Sequence, residues 1–197
     1  MSKVHNFSAG PGILPQEVLQ QSAAACIDFD GLHLSLLEIS HRSKNYEKVM
    51  DVARSTVKEL FEVGDEYEVV YLGGGASLQF AMVPYNLLRE NGTAAYVNTG
   101  VWASKAIKEA KIIGNTKVIA SSEDKKFTYI PKGFEIPSDA DYLHITSNNT
   151  IYGTQMREFP KCPVPLVCDM SSDIFSRKVN AKDFALIYAG AQKNMGP

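Results

Sequence analysis

A chain of 197 residues, 45% hydrophobic and 21% charged, has ordinary globular composition and enough length to bury the core of one domain or slightly more. Its formal charge is −2 and its Lys and Arg residues are scattered, which argues against nucleic acid as a partner, since a duplex demands a clustered basic surface. No apolar run is long enough for a membrane-spanning helix and Met1 to Asn6 has no signal-type apolar stretch, so the expectation is a cytoplasmic protein without a membrane partner.

Residues 1–15 read as an arm, extended and rich in Gly and Pro from Asn6 to Pro15. Residues 16–197 read as one domain. A helix is expected from Gln16 to Ile27, with Val18, Leu19, Ala23 and Cys26 near one face. The short apolar stretch Leu32 to Ile39 fits no element. Ser43-Lys44-Asn45 supplies capping chemistry for a helix over Tyr46 to Glu62, whose Val49, Ala53, Val57, Leu60 and Phe61 recur at helical spacing.

The pattern then changes. Tyr67 to Leu72 reads as a strand between Gly64-Asp65 and Gly73-Gly74-Gly75, and Leu78 to Arg89 as a helix that Pro84 should kink. Strand Thr93 to Val97, helix Trp102 to Ile113 and strand Thr116 to Ala120 follow. Ser121 to Lys126 is a polar, charged turn. Tyr142 to Thr146, Leu166 to Asp169 and Phe184 to Ala189 are further short apolar runs of strand type. Strands alternating with helices predict an α/β fold: a mostly parallel sheet covered by helices on both faces, binding its ligand at the carboxyl ends of the strands.

Three cysteines without C-x-x-C spacing argue against a disulfide framework or a zinc site, and no metal site is expected. Cys26, in an Ala-rich helical pattern, and Cys168, in an apolar run, read as buried small hydrophobes.

Three stretches could carry chemistry. Gly73-Gly74-Gly75-Ala76-Ser77, ahead of a helix, could cradle a phosphate on unpaired N–H groups, or could be a plain glycine turn. Its spacing is not that of a Walker loop. A dinucleotide site would need an acid about 20 positions on, and Val97-Asn98-Thr99 offers none. Asp169 closes an apolar strand, where a carboxylate favours a protonated ring nitrogen nearby; with Met170-Ser171-Ser172 behind it, it is equally good turn chemistry. Lys193, in Ala189-Gly190-Ala191-Gln192-Lys193-Asn194, could be a desolvated amine suited to imine formation, or an exposed loop lysine. A phosphate cradle, an acid for a ring nitrogen and an imine-forming lysine together are what pyridoxal phosphate needs.

The resemblance then becomes specific. Asn6-Phe7-Ser8-Ala9-Gly10-Pro11, Glu38-Ile39-Ser40-His41-Arg42, Gly74-Gly75-Ala76-Ser77-Leu78-Gln79-Phe80, Thr99-Gly100-Val101-Trp102, Asn149-Thr150-Ile151-Tyr152-Gly153, Asp169-Met170-Ser171-Ser172 and the run ending at Lys193-Asn194 resemble, in order and over the whole chain, the phosphoserine aminotransferase family of class-V, fold-type I pyridoxal-phosphate enzymes. That resemblance implies pyridoxal 5′-phosphate as cofactor, with Lys193 forming the Schiff base and moving the proton, Asp169 pairing with the pyridinium nitrogen and Trp102 stacking on the ring. It implies Thr150 on the phenolic oxygen and Ala76, Ser77 and Gln192 on the cofactor phosphate. Arg42 would fork onto a substrate carboxylate or phosphate, with His41 assisting. The implied reaction passes an amino group from L-glutamate to 3-phosphohydroxypyruvate in a homodimer. It also implies a large domain over 16–197 that is incomplete at its C-terminal end, with the family's small domain absent. Ser77 stands where some members carry arginine, which removes one cation from the phosphate region.

Overall fold

The computed structural model describes residues 4–8 and 10–196; Met1 to Lys3 and Ala9 of the predicted arm, and Pro197, lie outside the described residues. Four helices, α1 (Gln16–Ile27), α2 (Lys44–Leu60), α3 (Gly75–Leu87) and α4 (Val101–Ile113), accompany seven strands: β1 (Thr93–Asn98), β2 (Asn115–Ser121), β3 (Tyr142–Thr146), β4 (Asn148–Asn149), β5 (Thr154–Gln155), β6 (Leu166–Asp169) and β7 (Leu186–Tyr188). Five of the strands form one sheet in the order β2-β1-β3-β6-β7, every pair parallel, while β4 and β5 make a small antiparallel hairpin. The order runs one way from β1 to β2 and the other way from β1 through β3, β6 and β7. The crevice outside the carboxyl ends of β1 and β3 is thus a topological switch point, where open parallel sheets bind ligands.

Burial on both faces explains why these strands read as apolar runs rather than alternating ones. All of β3 and β6 is buried, as is β1 beyond Thr93. On one face Ala94, Tyr96, Tyr142, Val167 and Tyr188 pack with Phe80 and Val83 of α3 and Ala106, Ile107 and Ala110 of α4. On the other, Val97, Leu143, Ile145, Leu166 and Cys168 are covered by Ile130, Phe134, Phe159 and Phe175 from connecting segments, and by Phe61 at the end of α2. α1 and α2 bury no residue completely.

Several expectations need correction. Tyr67 to Leu72 forms no strand: it runs without a sheet partner and leaves Val70 and Leu72 exposed. An apolar alternating segment becomes a strand only where a partner offers backbone groups, which its own sequence does not reveal. α3 begins three residues before the expected start, so Gly75, Ala76 and Ser77 form its first turn, and it runs through Pro84 to Leu87. The run Phe184 to Ala189 is strand only over Leu186–Tyr188. Cys26 is exposed, because α1 offers no residue to the core; Cys168 is buried as expected. Ser43 does cap α2, accepting from the Tyr46 N–H at 3.3 Å.

One ion pair fastens α3 to the amino edge of the sheet. Asp141, just before β3, is buried and accepts from the Arg89 backbone N–H at 2.9 Å and from Arg89 Nε at 2.5 Å. A Cβ on Gly92 would overlap that carboxylate, so glycine there is a steric requirement. Truncating Asp141 strands a partly buried backbone donor and removes two charge-assisted bonds. Asp141→Ala is expected to lose about 2–3 kcal/mol, read from the urea unfolding midpoint; an unchanged midpoint would show that the pair contributes nothing.

Candidate active site

Three loops at the carboxyl edge bring the predicted residues together. Trp102 stands in the first turn of α4, directly after β1. Thr150 sits at the turn between β4 and β5, directly after β3. These two flank the switch point. Asp169 ends β6, its Cα in register with Thr146 of β3 and Tyr188 of β7. Lys193 follows β7 in a turn, with its amine 5.9 Å from the Trp102 ring centroid.

Asp169 fulfils its turn reading and is buried. Its Oδ1 accepts the Ser171 N–H at 2.9 Å, as turn chemistry predicts, while the side chain faces the α3–α4 side of the sheet and is only 5% exposed. Burial raises its pKa above the ordinary carboxylate range; the Ser171 hydrogen bond and the Lys193 charge pull the other way but do not cancel it. Asp169 and Lys193 make no ion pair among the described residues. The carboxylate is desolvated, and the Lys193 charge acts on it without forming an ion pair.

Other groups are poised in the same way. Thr150 Oγ1 and Trp102 Nε1 are buried without a hydrogen-bond partner. α3 starts on Gly74, at φ 88°, with no side-chain cap, and its first N–H groups, from Gly75, Ala76 and Ser77, have no intrahelical acceptor. Such an end favours an anion. Ala76 packs on the same cluster as Trp102, so the cradle lies beside α4. It does not follow a sheet strand, because the segment before it is unpaired. Gln192 is exposed beside Lys193.

His41 and Arg42 are not brought to this place. Both are exposed in the turn before α2, and neither side chain takes part in a hydrogen bond or ion pair among the described residues. A separate depression of about 600 Å³, bordered by Ile130, Phe134, Met156 and Phe159 on the loop-covered face, contains none of the predicted site residues.

Sequence reasoning missed several contributors. The arm returns over the lysine: a Cβ on Gly10 would lie 2.9 Å from Lys193 Cε, and one on Gly12 would lie 3.4 Å from the Lys193 carbonyl oxygen. Paired glycines in an arm carry no signal of what they must avoid. Ser171 Oγ accepts the Gly190 N–H at 3.0 Å and so ties the Asp169 turn to the lysine loop. Behind Asp169 a buried polar stack fills the α3–α4 face: Tyr96 and Tyr142 share a hydrogen bond of 2.7 Å, and His144 Nε2 meets Tyr188 Oη at 2.8 Å. Burial lowers the His144 pKa to about 3, so this wall is neutral at physiological pH and leaves Asp169 the charge on that face.

A parallel α/β domain with a lysine amine, a buried carboxylate, an aromatic face and a helix end for phosphate at one sheet edge is a domain for a phosphorylated, cationic aromatic cofactor. The comparisons give that class its family. Residues 4–197 match the model of the class-V aminotransferases, and the chain belongs to that family. It is 62% identical over 196 residues to the phosphoserine aminotransferase of Flavobacterium psychrophilum, covering 99% of this chain and 55% of the relative. The phosphoserine aminotransferase structure from Bacillus circulans subsp. alkalophilus superposes with a TM-score of 0.93 at 49% identity, over 98% of this chain and 54% of that one. Another phosphoserine aminotransferase structure, described for radiation damage at its Schiff base, superposes with a TM-score of 0.96 at 46% identity, over 100% and 56%. The chain spans about half the length of the curated relatives it matches.

Pyridoxal phosphate is the cofactor of this family, and the residues present fit it. The buried Asp169 carboxylate suits a ring cation, the orphaned Thr150 hydroxyl a phenolic oxygen, the α3 end a phosphate and Lys193 an aldehyde.

The Asp169 geometry generates a prediction with a defined sign. A raised pKa means that the folded protein binds this proton more tightly than the unfolded chain does. Stability from the group is therefore lost as pH rises through the folded-state value and recovered in acid. Asp169→Asn keeps the acceptor for Ser171 without the charge. The variant should melt higher than wild type at neutral pH when cofactor-free, with the difference shrinking as pH falls below the carboxylate range, and it should bind cofactor more weakly. A cofactor-free variant no more stable than wild type at neutral pH contradicts the assignment.

Proposed function

We propose that this chain carries the cofactor site of a pyridoxal-phosphate transaminase that passes an amino group from L-glutamate to 3-phosphohydroxypyruvate, giving O-phospho-L-serine and 2-oxoglutarate in serine biosynthesis. The protein works as a cytoplasmic homodimer. Residues 1–15 form its arm and 16–197 its cofactor-binding large domain. The observation that carries this reading is the Lys193 amine, set over the Trp102 ring within electrostatic reach of the buried Asp169 carboxylate.

Bound pyridoxal phosphate supplies a protonated ring that spreads the charge left when a substrate Cα loses its proton. The chain's residues do the rest. Asp169, ionised beside the ring nitrogen, keeps that nitrogen protonated. Lys193 Nζ would hold the cofactor through its aldehyde and, when free, would be the base for the substrate's Cα proton. Trp102 closes one ring face and keeps water from it. Thr150 Oγ1 donates to the phenolic oxygen, and the N–H groups opening α3, with Ser77 and Gln192, hold the phosphate. Arg42 and His41 bind the substrate's anionic end; their exposure suits residues that reach a site from an adjoining surface.

Borohydride reduction of cofactor-loaded protein followed by peptide mapping should place a pyridoxyl label on Lys193, and Lys193→Ala should lose both label and transamination. A label elsewhere, or turnover surviving in that variant, refutes the role. Arg42→Leu should raise KM for 3-phosphohydroxypyruvate about tenfold or more, the equivalent of a charge-assisted fork, with a smaller effect on an unphosphorylated keto acid. Equal effects on the two acceptors would point to another transaminase of the same fold.

A further inference from the structure

Asp173 lies four residues past Asp169 and has no part in the chemistry above. It is only 7% exposed and makes no ion pair among the described residues. A buried charge without a cation is destabilising unless several donors satisfy it. Its two donors come from opposite legs of one hairpin. Ser147 Oγ donates to Oδ1, and Gln155 Nε2 donates to Oδ2 at 3.1 Å. Those residues form the base of the β4–β5 hairpin, where Met156 N–H donates to the Ser147 carbonyl at 2.7 Å and Asn148 pairs with Gln155.

A second strap runs beside the first. Asn148 Nδ2 donates to Ser172 Oγ at 2.9 Å, and Ser172 Oγ donates to the Asn148 carbonyl at 3.2 Å. The Ser147 N–H closes the ring on the Asp169 carbonyl at 3.0 Å. The hairpin base is thus fixed to the turn that begins at Asp169, and the hairpin tip carries Thr150, whose hydroxyl is buried and unpartnered.

We infer that Asp173 is a positioning residue: by accepting from both legs of the hairpin, it holds the Thr150 hydroxyl in register with the Asp169 carboxylate, so that two edges of one cofactor ring are engaged together. The inference rests on the function proposed above. A carboxylate suits this task because each oxygen can accept from a different leg. Alanine would leave the Gln155 amide with nothing to bind and the Ser147 hydroxyl with only the Asp169 carbonyl, at 3.0 Å.

The test is a double-mutant cycle on cofactor affinity, measured by titrating pyridoxal phosphate into cofactor-free protein made as the full-length gene product. Asp173→Ala should weaken binding roughly tenfold, the size typical of removing an orienting second contact. Thr150→Val should weaken it as well, and the double variant should be little worse than either single one, because a misplaced hydroxyl and a missing one are equivalent. Asp173→Asn should restore affinity, since rotating the Gln155 side-chain amide lets it meet the new donor while the other oxygen still accepts from Ser147. Should Asp173→Ala not fold, Gln155→Ala removes one leg's bond, leaves Ser147 in place and takes its place in the cycle.

Affinity within about twofold of wild type, or losses that add independently, would overturn the inference. So would failure of Asp173→Asn to rescue, which would assign the effect to charge rather than to the clamp. A lowered melting temperature with unchanged affinity would make Asp173 a purely structural residue and overturn it too. A covalent label on Lys193 together with an unaffected Asp173→Ala variant sinks this inference alone; a missing label sinks the function on which it rests.

Discussion

A carboxylate buried at the end of a strand, with one backbone donor and no ion pair among the described residues, is the constraint around which this domain is arranged. Asp169 is desolvated by the α3–α4 layer and by a neutral polar stack behind it, so its charge is destabilising while it stands alone. Folding for its own sake would favour a neutral side chain here. A ligand that brings a positive ring nitrogen reverses the balance, because the same low-dielectric surroundings that penalise the lone anion strengthen its attraction to a cation. The unpartnered hydroxyl of Thr150 and the uncapped end of α3 are likewise unsatisfied groups, which under the proposed function would meet neutral and anionic parts of the same ligand.

The scaffold makes such incompleteness tolerable. β1, β3 and β6 are buried on both faces, and their parallel pairing fixes where each strand ends to within a residue. The groups on the following loops inherit that placement. Short polar contacts then join loop to loop: Ser171 to Gly190, Ser172 to Asn148, Asp173 to Ser147 and Gln155. Each contact is small, but together they turn three separate loops into one surface. The arm adds the last wall, and its glycines are small because the Lys193 chain lies against them.

Legibility in the sequence followed the range of the forces involved. Strands β1, β3 and β6 were legible because burial on two faces leaves an unbroken apolar run. The end of β6 marked Asp169 for the same reason. α2 announced itself through its Ser43 cap and helical spacing, both local. The stretch Tyr67 to Leu72 misled because its composition is that of a strand, while strand formation depends on a distant partner. The start of α3 was placed too late because glycines usually mark a turn, and here they open the helix. The motifs holding Asp169 and Lys193 pointed to the family through resemblance, and the family model matches. Asp173 and Gly12 carried no signal, and the motif holding Gly10 did not show what it packs against, since these roles are contacts across long stretches of chain. Arg42 and His41 stood out as a motif, yet their exposed turn shows no contact that would explain them.

The proposed function requires Asp169 to sit ionised against a protonated ring nitrogen. The ¹⁵N chemical shift of that nitrogen, measured with labelled pyridoxal phosphate bound to the protein, reads this directly. The account predicts the shift of a protonated pyridine at neutral pH, moving to that of the neutral ring in Asp169→Asn. A neutral ring nitrogen in the wild-type protein would contradict it.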